Sequence, residues 1–197
     1  IEGPLMVLTI KLTMLACNYS DGTRKDEDLT IYWKKYYLKE LPSVLEYASY
    51  VLFWVTSVTG PGFHFTEYKE FIDESVFRGK KVSTFRPFII VFFQAIGCLG
   101  TFLVFNTYFP FDWVFSNEFA ETSVLYRHLY VYLALFGIRF KYYFTWKMGE
   151  ASGNLCGFGY RIDNQGNEHW DKLTNIKIWE LETAGSLRTL TTVDVIS

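Results

Sequence analysis

Only three cysteines, Cys17, Cys98 and Cys156, occur in the 197 residues, widely spaced and without a Cys-x-x-Cys pair. An odd, scattered set excludes a disulfide-stapled secreted module, and reduced, buried thiols are expected, two of them inside apolar stretches. Charge is scarce too: one residue in five is charged, and 19 basic against 21 acidic side chains give a net charge of -2. Without a basic surplus there is no footprint for nucleic acid, and no such partner is expected. Five prolines and 14 glycines in no repeat exclude a collagen-like chain. Histidine is scarcer still, and His64, His128 and His169 are not spaced with Cys, Asp or Glu as a zinc site requires. No Gly-x-Ser-x-Gly elbow or Walker loop occurs, and Gly157-Phe158-Gly159 is too short for a dinucleotide loop. The chain opens on Ile1-Glu2-Gly3-Pro4 without Met, so a processed chain or a fragment is expected. No basic n-region precedes a short apolar run and cleavage site, so no signal peptide is read.

Apolar and aromatic side chains fill the space. Half the residues are hydrophobic, 20% are aromatic and the mean hydropathy is +0.09. Long uncharged stretches alternate with short charged clusters, which predicts an all-α polytopic membrane protein with three or four membrane segments. The strongest, Pro87 to Phe111, has no charged side chain and exceeds the roughly 20 residues that a bilayer core needs. Arg86 precedes it, and Tyr108, Phe109, Phe111 and Trp113 supply an aromatic interface. Gly3 to Tyr19 is apolar except for Lys11, which is expected to snorkel or face a polar interior. Tyr47 to Thr66 is interrupted by Gly60-Pro61-Gly62, so it is read as a crossing or as a re-entrant segment. The fourth, Leu125 to Trp146, has a short apolar heart from Leu129 to Ile138, with Arg127 and His128 near one interface and Arg139 and Lys141 near the other.

Arg139, Lys141 and Lys147 place the chain after the fourth segment on the cytoplasmic side, and Lys69, Arg78, Lys80, Lys81 and Arg86 do the same for the loop before the third. Arg24, Lys25, Lys34, Lys35 and Lys39 break that alternation if Tyr47 to Thr66 crosses fully. Asp26 to Leu41 has helical spacing of Leu29, Tyr32, Trp33, Tyr36, Tyr37 and Leu41, which predicts an amphipathic helix in the headgroup layer or a connector packed on protein. From Lys147 onward, Gly149, Gly153, Gly157, Gly159 and Gly166 punctuate a polar region, cytoplasmic or re-entrant, with a turn signal at Asp163-Asn164-Gln165-Gly166-Asn167. Asn18-Tyr19-Ser20 has the form of a glycosylation acceptor, but it abuts an apolar segment and is not expected to be occupied. Each histidine, taken alone, is more simply structural or interfacial. His64, in an apolar context, could also serve as an intramembrane base or donor.

Composition stops at a membrane protein; three longer motifs go further. The first runs from Gly3-Pro4-Leu5-Met6 through Lys11-Leu12 to Asn18-Tyr19-Ser20-Asp21-Gly22. The second joins Leu41-Pro42-Ser43-Val44-Leu45-Glu46-Tyr47 to Thr59-Gly60-Pro61 and Tyr68-Lys69-Glu70-Phe71. The third combines Tyr142-Tyr143-Phe144-Thr145-Trp146, Glu150-Ala151, Gly157-Phe158-Gly159-Tyr160, Trp170-Asp171, Asn175, Trp179-Glu180 and Glu182-Thr183. In order and separation these resemble the membrane-bound O-acyltransferase superfamily, in its lysophospholipid acyltransferase branch. The resemblance implies an integral membrane protein of the endoplasmic reticulum, acting in phospholipid remodelling. Its partners would be membrane lipid, a lysophospholipid and acyl-CoA, the last as co-substrate, with no bound cofactor and no metal. It also implies Glu150, Trp170, Asp171, Asn175 and Trp179 as residues lining the substrate tunnel, against the simpler reading that they satisfy a buried loop.

The sequence departs from the family in one respect. The resemblance assigns general-base work to a histidine in an apolar Trp-His-Gly-like context, and hydrogen bonding to an asparagine in a Trp-Asn or Phe-Asn motif. Both fall after the Glu-Thr element, but no asparagine follows Asn175 here and no histidine follows His169. No catalytic residue is therefore assigned. The expectation is an incomplete acyltransferase fold, inactive alone, with a non-catalytic binding or assembly protein on the same scaffold as the alternative.

Overall fold

The computed structural model describes residues 2–24, 29–57, 62–77, 79–163 and 165–185. Helices dominate. Helix α1 (Glu2–Gly22) is followed by α2 (Ile31–Tyr36), α3 (Val44–Val51), α4 (Trp54–Ser57) and α5 (Phe65–Ile72). Two long helices come next, α6 (Phe85–Tyr108) and α8 (Val124–Cys156), bracketing the short α7 (Asn117–Glu121). The chain then forms a hairpin of β1 (Arg161–Ile162) and β2 (Glu168–His169), antiparallel with Arg161 opposite His169, and ends its described part in α9 (Ile178–Glu182). The hairpin departs from the all-α expectation. It closes where the turn was predicted: Asp163 Oδ1 accepts the backbone N–H groups of Gln165 and Asn167 at 2.9 and 2.8 Å.

Local chemistry sets the helix ends. Ser43 and Glu46 form a reciprocal capping box after Pro42, with Ser43 N–H donating to Glu46 Oε2 at 2.9 Å and Glu46 N–H to Ser43 Oγ at 3.3 Å. Pro87 is tolerated near the start of α6, where an N–H lacks a helical partner in any case. Gly157 ends α8 at φ 90°, a left-handed cap open to glycine, and Phe158 N–H reaches back to Gly153 C=O at 3.0 Å.

Helix α6 is the one stretch among the described residues that is long and apolar enough to cross a bilayer, counted with the turn after it as Phe85–Phe115. It buries small or modest residues, Val91, Ala95 and Cys98, and exposes Ile90, Phe93, Ile96, Leu103 and Val104. Large apolar groups outside and small ones inside suit a helix that meets lipid on one face and a partner helix on the other. That partner is α8, which brings Ala134 and Gly137 to the seam, so close that a Cβ on Gly137 would stand 2.6 Å from Phe105 Cβ.

Within Tyr47 to Thr66 the described residues fall in α3, α4 and the start of α5, and Val58 to Pro61 lie outside the described residues. Three expectations need correction. The amphipathic helix expected over Asp26 to Leu41 is only α2. Tyr37 turns extended at ψ 151° and Leu38 N–H bonds to Asn18 C=O at 2.9 Å, tying the strand to α1; Lys25 to Asp28 lie outside the described residues. Nor does the helical character end at Lys147. Helix α8 continues through Gly149 and Gly153, and Gly153 serves close packing rather than a turn: a Cβ there would meet the Leu173 side chain at 2.0 Å. Finally, of the three free thiols only Cys98 is fully buried, while Cys17 is exposed.

The seam makes a direct prediction. Gly137→Ala should destabilise the chain by about 1–3 kcal/mol, because the Cβ of Phe105 cannot swing aside. Gly100→Ala on α6, where an added Cβ meets nothing within 4 Å, should be neutral or stabilising by up to about 1 kcal/mol. Thermal unfolding in detergent micelles, read by near-ultraviolet circular dichroism, checks both.

Candidate functional site

Helix α8 carries Arg139, Tyr142, Tyr143 and Trp146 at i, i+3, i+4 and i+7, so all four share one face. Asn175, Ile176 and Leu181 stand opposite, and together they line a groove of about 570 Å³. A volume of this order fits a small-molecule ligand site, with apolar and aromatic walls and few polar groups. The base of the groove is a small core of Cys98, Tyr143 and Ile176, which joins α6, α8 and the segment after the hairpin.

Two polar ties hold the second wall in place. Glu150, buried on α8, receives Lys147 Nζ at 2.7 Å on one oxygen and the Thr174 hydroxyl at 2.7 Å on the other. Farther along, Glu182 accepts from the Tyr143 hydroxyl at 2.6 Å and pairs with Arg139 Nη2 at 3.1 Å. Residues 174 to 182 are thus pinned to α8 at both ends, and the groove lies between the pins.

Of the sequence-predicted tunnel residues, Asn175 lines the groove. Glu150 supports it from the buried ion pair, one residue removed through Thr174. Trp170 packs on Tyr160 with ring centroids 5.3 Å apart, beside the hairpin. Asp171 is gripped by both Arg161 forks, Nε to Oδ1 at 2.6 Å and Nη2 to Oδ2 at 2.8 Å, which brings the loop after β2 back to β1. Trp179 projects outward from α9 at 79% exposure. The sequence reading missed Arg139 as a groove residue, although its helical spacing with Tyr142, Tyr143 and Trp146 was there to see.

A second polar centre joins α1, α2 and α5. His64 Nδ1 meets the Asn18 side-chain amide, with Nδ2 at 2.9 Å and Oδ1 at 3.2 Å; Nε2 meets the Tyr32 hydroxyl at 3.2 Å, and Tyr36 stacks on the ring at 3.9 Å. The His64 backbone N–H donates to Glu67 at 3.0 Å, so the residue also starts α5. Asn18 is buried in this network. His128 bonds to Val124 C=O at 2.8 Å, and His169 to Asp163 at 3.2 Å in the hairpin. None of the three histidines is among the described residues lining the groove.

Sequence comparison decides what this scaffold is. The profile of the membrane-bound O-acyltransferase family matches residues 2–190. The chain belongs to that family. Its relatives include lysophospholipid acyltransferase 2 of Arabidopsis thaliana, 34% identical over 192 residues that cover 93% of this chain and 41% of that protein. Membrane-bound glycerophospholipid O-acyltransferase 1 of Mus musculus is 33% identical over 95% of the chain and 42% of its own length. Its counterpart 2 of Homo sapiens is 32% identical over 95% and 39%. The chain therefore spans about two fifths of the length of these relatives.

Two outcomes follow for this chain. Lys147→Met leaves Glu150 charged and buried alone and should cost roughly 3–5 kcal/mol, whereas adding Glu150→Gln should recover most of the loss; denaturant unfolding of the single and double variants measures the difference. The Arg161 fork holds the Asp171 carboxyl below its ordinary value. Its stabilising effect is present above the ordinary carboxylate range and fades as the pH falls through that range toward the lowered folded value. Because the pair is about half exposed, the effect is small. Protection factors of the hairpin amides, each referred to the intrinsic exchange rate at the same pH, should fall modestly on acidification, and in Asp171→Asn they should be modestly lower and lose that pH dependence.

Proposed function

We propose that this chain is the lipid-holding part of an acyl-CoA:lysophospholipid O-acyltransferase acting in phospholipid remodelling in the endoplasmic reticulum membrane. The observation that carries the reading is the largely aromatic groove on α8, beside the helix that, among the described residues, is long and apolar enough to cross a bilayer. A single acyl chain lies along Tyr142, Trp146, Ile176 and Leu181, and its polar end rests near Arg139. The names of the relatives, which specify lysophospholipid and glycerophospholipid acyl transfer, agree with this chemistry.

In the reaction, a base takes the proton of the lysophospholipid hydroxyl while its oxygen attacks the thioester carbonyl. The new ester forms, the carbon–sulfur bond breaks, and the CoA thiolate leaves and is protonated. A hydrogen-bond donor stabilises the oxyanion on the way. This chain contributes binding and alignment, since the family's histidine and asparagine motifs find no match among its 197 residues. Glu150 and Thr174 hold the wall on which the substrate is aligned, and Trp170, Asp171 and Arg161 brace the hairpin behind it. Three or four membrane segments, with the α3–α4 region re-entrant, complete the proposed arrangement.

Purified chain supplied with labelled oleoyl-CoA and lysophospholipid should give no ester product, while a diazirine-bearing lysophospholipid should label the peptides of residues 139–146 and 175–181. Leu181→Trp, which fills the groove, should lower that labelling about tenfold. Measurable turnover would overturn the division of labour, and labelling that ignores Leu181→Trp would remove the groove as the lipid site.

A further inference from the structure

The groove has a polar end, and its chemistry indicates which part of an amphiphile belongs there. The Arg139 side chain lines the groove, is 44% exposed and rests over the Phe136 ring at 5.4 Å. Its Nη2 lies 3.1 Å from Glu182 Oε2, and the other oxygen of that carboxylate is held independently by the Tyr143 hydroxyl at 2.6 Å. A guanidinium presents five N–H donors in a rigid fork suited to carboxylate and phosphate alike. The pair is open to solvent on its Arg139 side, 44% exposed against 19% for Glu182, so another anion can reach the guanidinium, and the Tyr143 bond keeps one Glu182 oxygen satisfied after the exchange. Away from Arg139 the lining is aromatic and aliphatic apart from Asn175, and Arg139 is its one charged residue among the described residues.

We propose that Arg139 is the phosphate-recognising residue of the groove and that Glu182 is its built-in competitor. A single-chain, phosphate-bearing amphiphile enters with its chain along the aromatic wall and its phosphate displaces the Glu182 carboxylate from the guanidinium. The assignment rests on the reading of the groove as a lipid site. Two amphiphiles carry this chemistry, a lysophospholipid and a long-chain acyl-CoA.

The test uses the full 197-residue chain in maltoside micelles and three diazirine-chain probes of equal length: lysophosphatidylcholine, acyl-CoA, and a monoacylglycerol that keeps chain and hydroxyls but has no phosphate. The readout is the probe mole fraction that half-labels the groove peptides. Arg139→Gln should raise that fraction about tenfold for a phosphate probe that binds, as the loss of a charge-assisted bond implies. Glu182→Gln, which preserves an acceptor for Tyr143, should lower it about threefold by freeing Arg139. The monoacylglycerol should move with neither variant. A response confined to lysophosphatidylcholine assigns the phosphate to the acceptor lipid, and one confined to acyl-CoA assigns it to the donor. Phosphate probes unmoved by both variants, or a monoacylglycerol that shifts equally, would overturn the proposal. If no probe labels the groove at all, the lipid-site reading falls and the phosphate assignment with it.

Discussion

Everything at the candidate site depends on one buried carboxylate. Glu150 sits inside the protein because Lys147, one turn earlier on the same helix, neutralises it and Thr174 satisfies its second oxygen. A lone charge there would be untenable, and a pair without Thr174 would lose the tie that fixes the start of residues 174 to 182 on α8. With all three groups present, residues 174 to 182 return along α8 and the space left between them is the groove. The interaction is valuable less for the energy of the ion pair than for the register it imposes on the second wall.

The rest of the molecule follows the solvent it meets. In α6 the usual arrangement of a soluble helix is reversed, with bulky apolar side chains outward and Val91, Ala95 and Cys98 against α8. The first part of the chain is built differently. Its aromatic core of Tyr50, Phe63, Phe65 and Tyr68 surrounds polar connectors, including a fully buried Lys11 whose Nζ meets the carbonyls of Phe53 and Val51 at 3.3 and 3.5 Å. The lysine expected to snorkel or face a polar interior therefore finds its partners in backbone carbonyls close to the end of α3.

Much of this was legible in the sequence. A charge-free run of 25 residues could only be a long apolar helix, and its interface residues were in place (Pro87 to Phe111). Family membership was legible because three motifs kept their order over nearly the whole chain. Less legible was the extent of α8: the glycines that read as punctuation lie inside the helix, where the missing Cβ admits Leu173. Residues 26 to 41 satisfied a helical period, but a backbone bond from Leu38 to Asn18, a long-range contact invisible to periodicity, draws the chain into extended form. At the site, Asn175 and Glu150 were identified from motifs. Arg139 was overlooked because it was read as an interface charge, and its role emerges only once Glu182 folds back onto it.

The central claim is that a lipid chain lies between α8 and residues 174–182. Hydrogen–deuterium exchange of the whole chain, with and without lysophospholipid in neutral micelles, addresses it most directly. The account requires that added lysophospholipid slow exchange in 174–182 and leave the 161–169 hairpin and the α1–α2–α5 junction unchanged. Protection confined to that junction, with 174–182 unaffected, would contradict it.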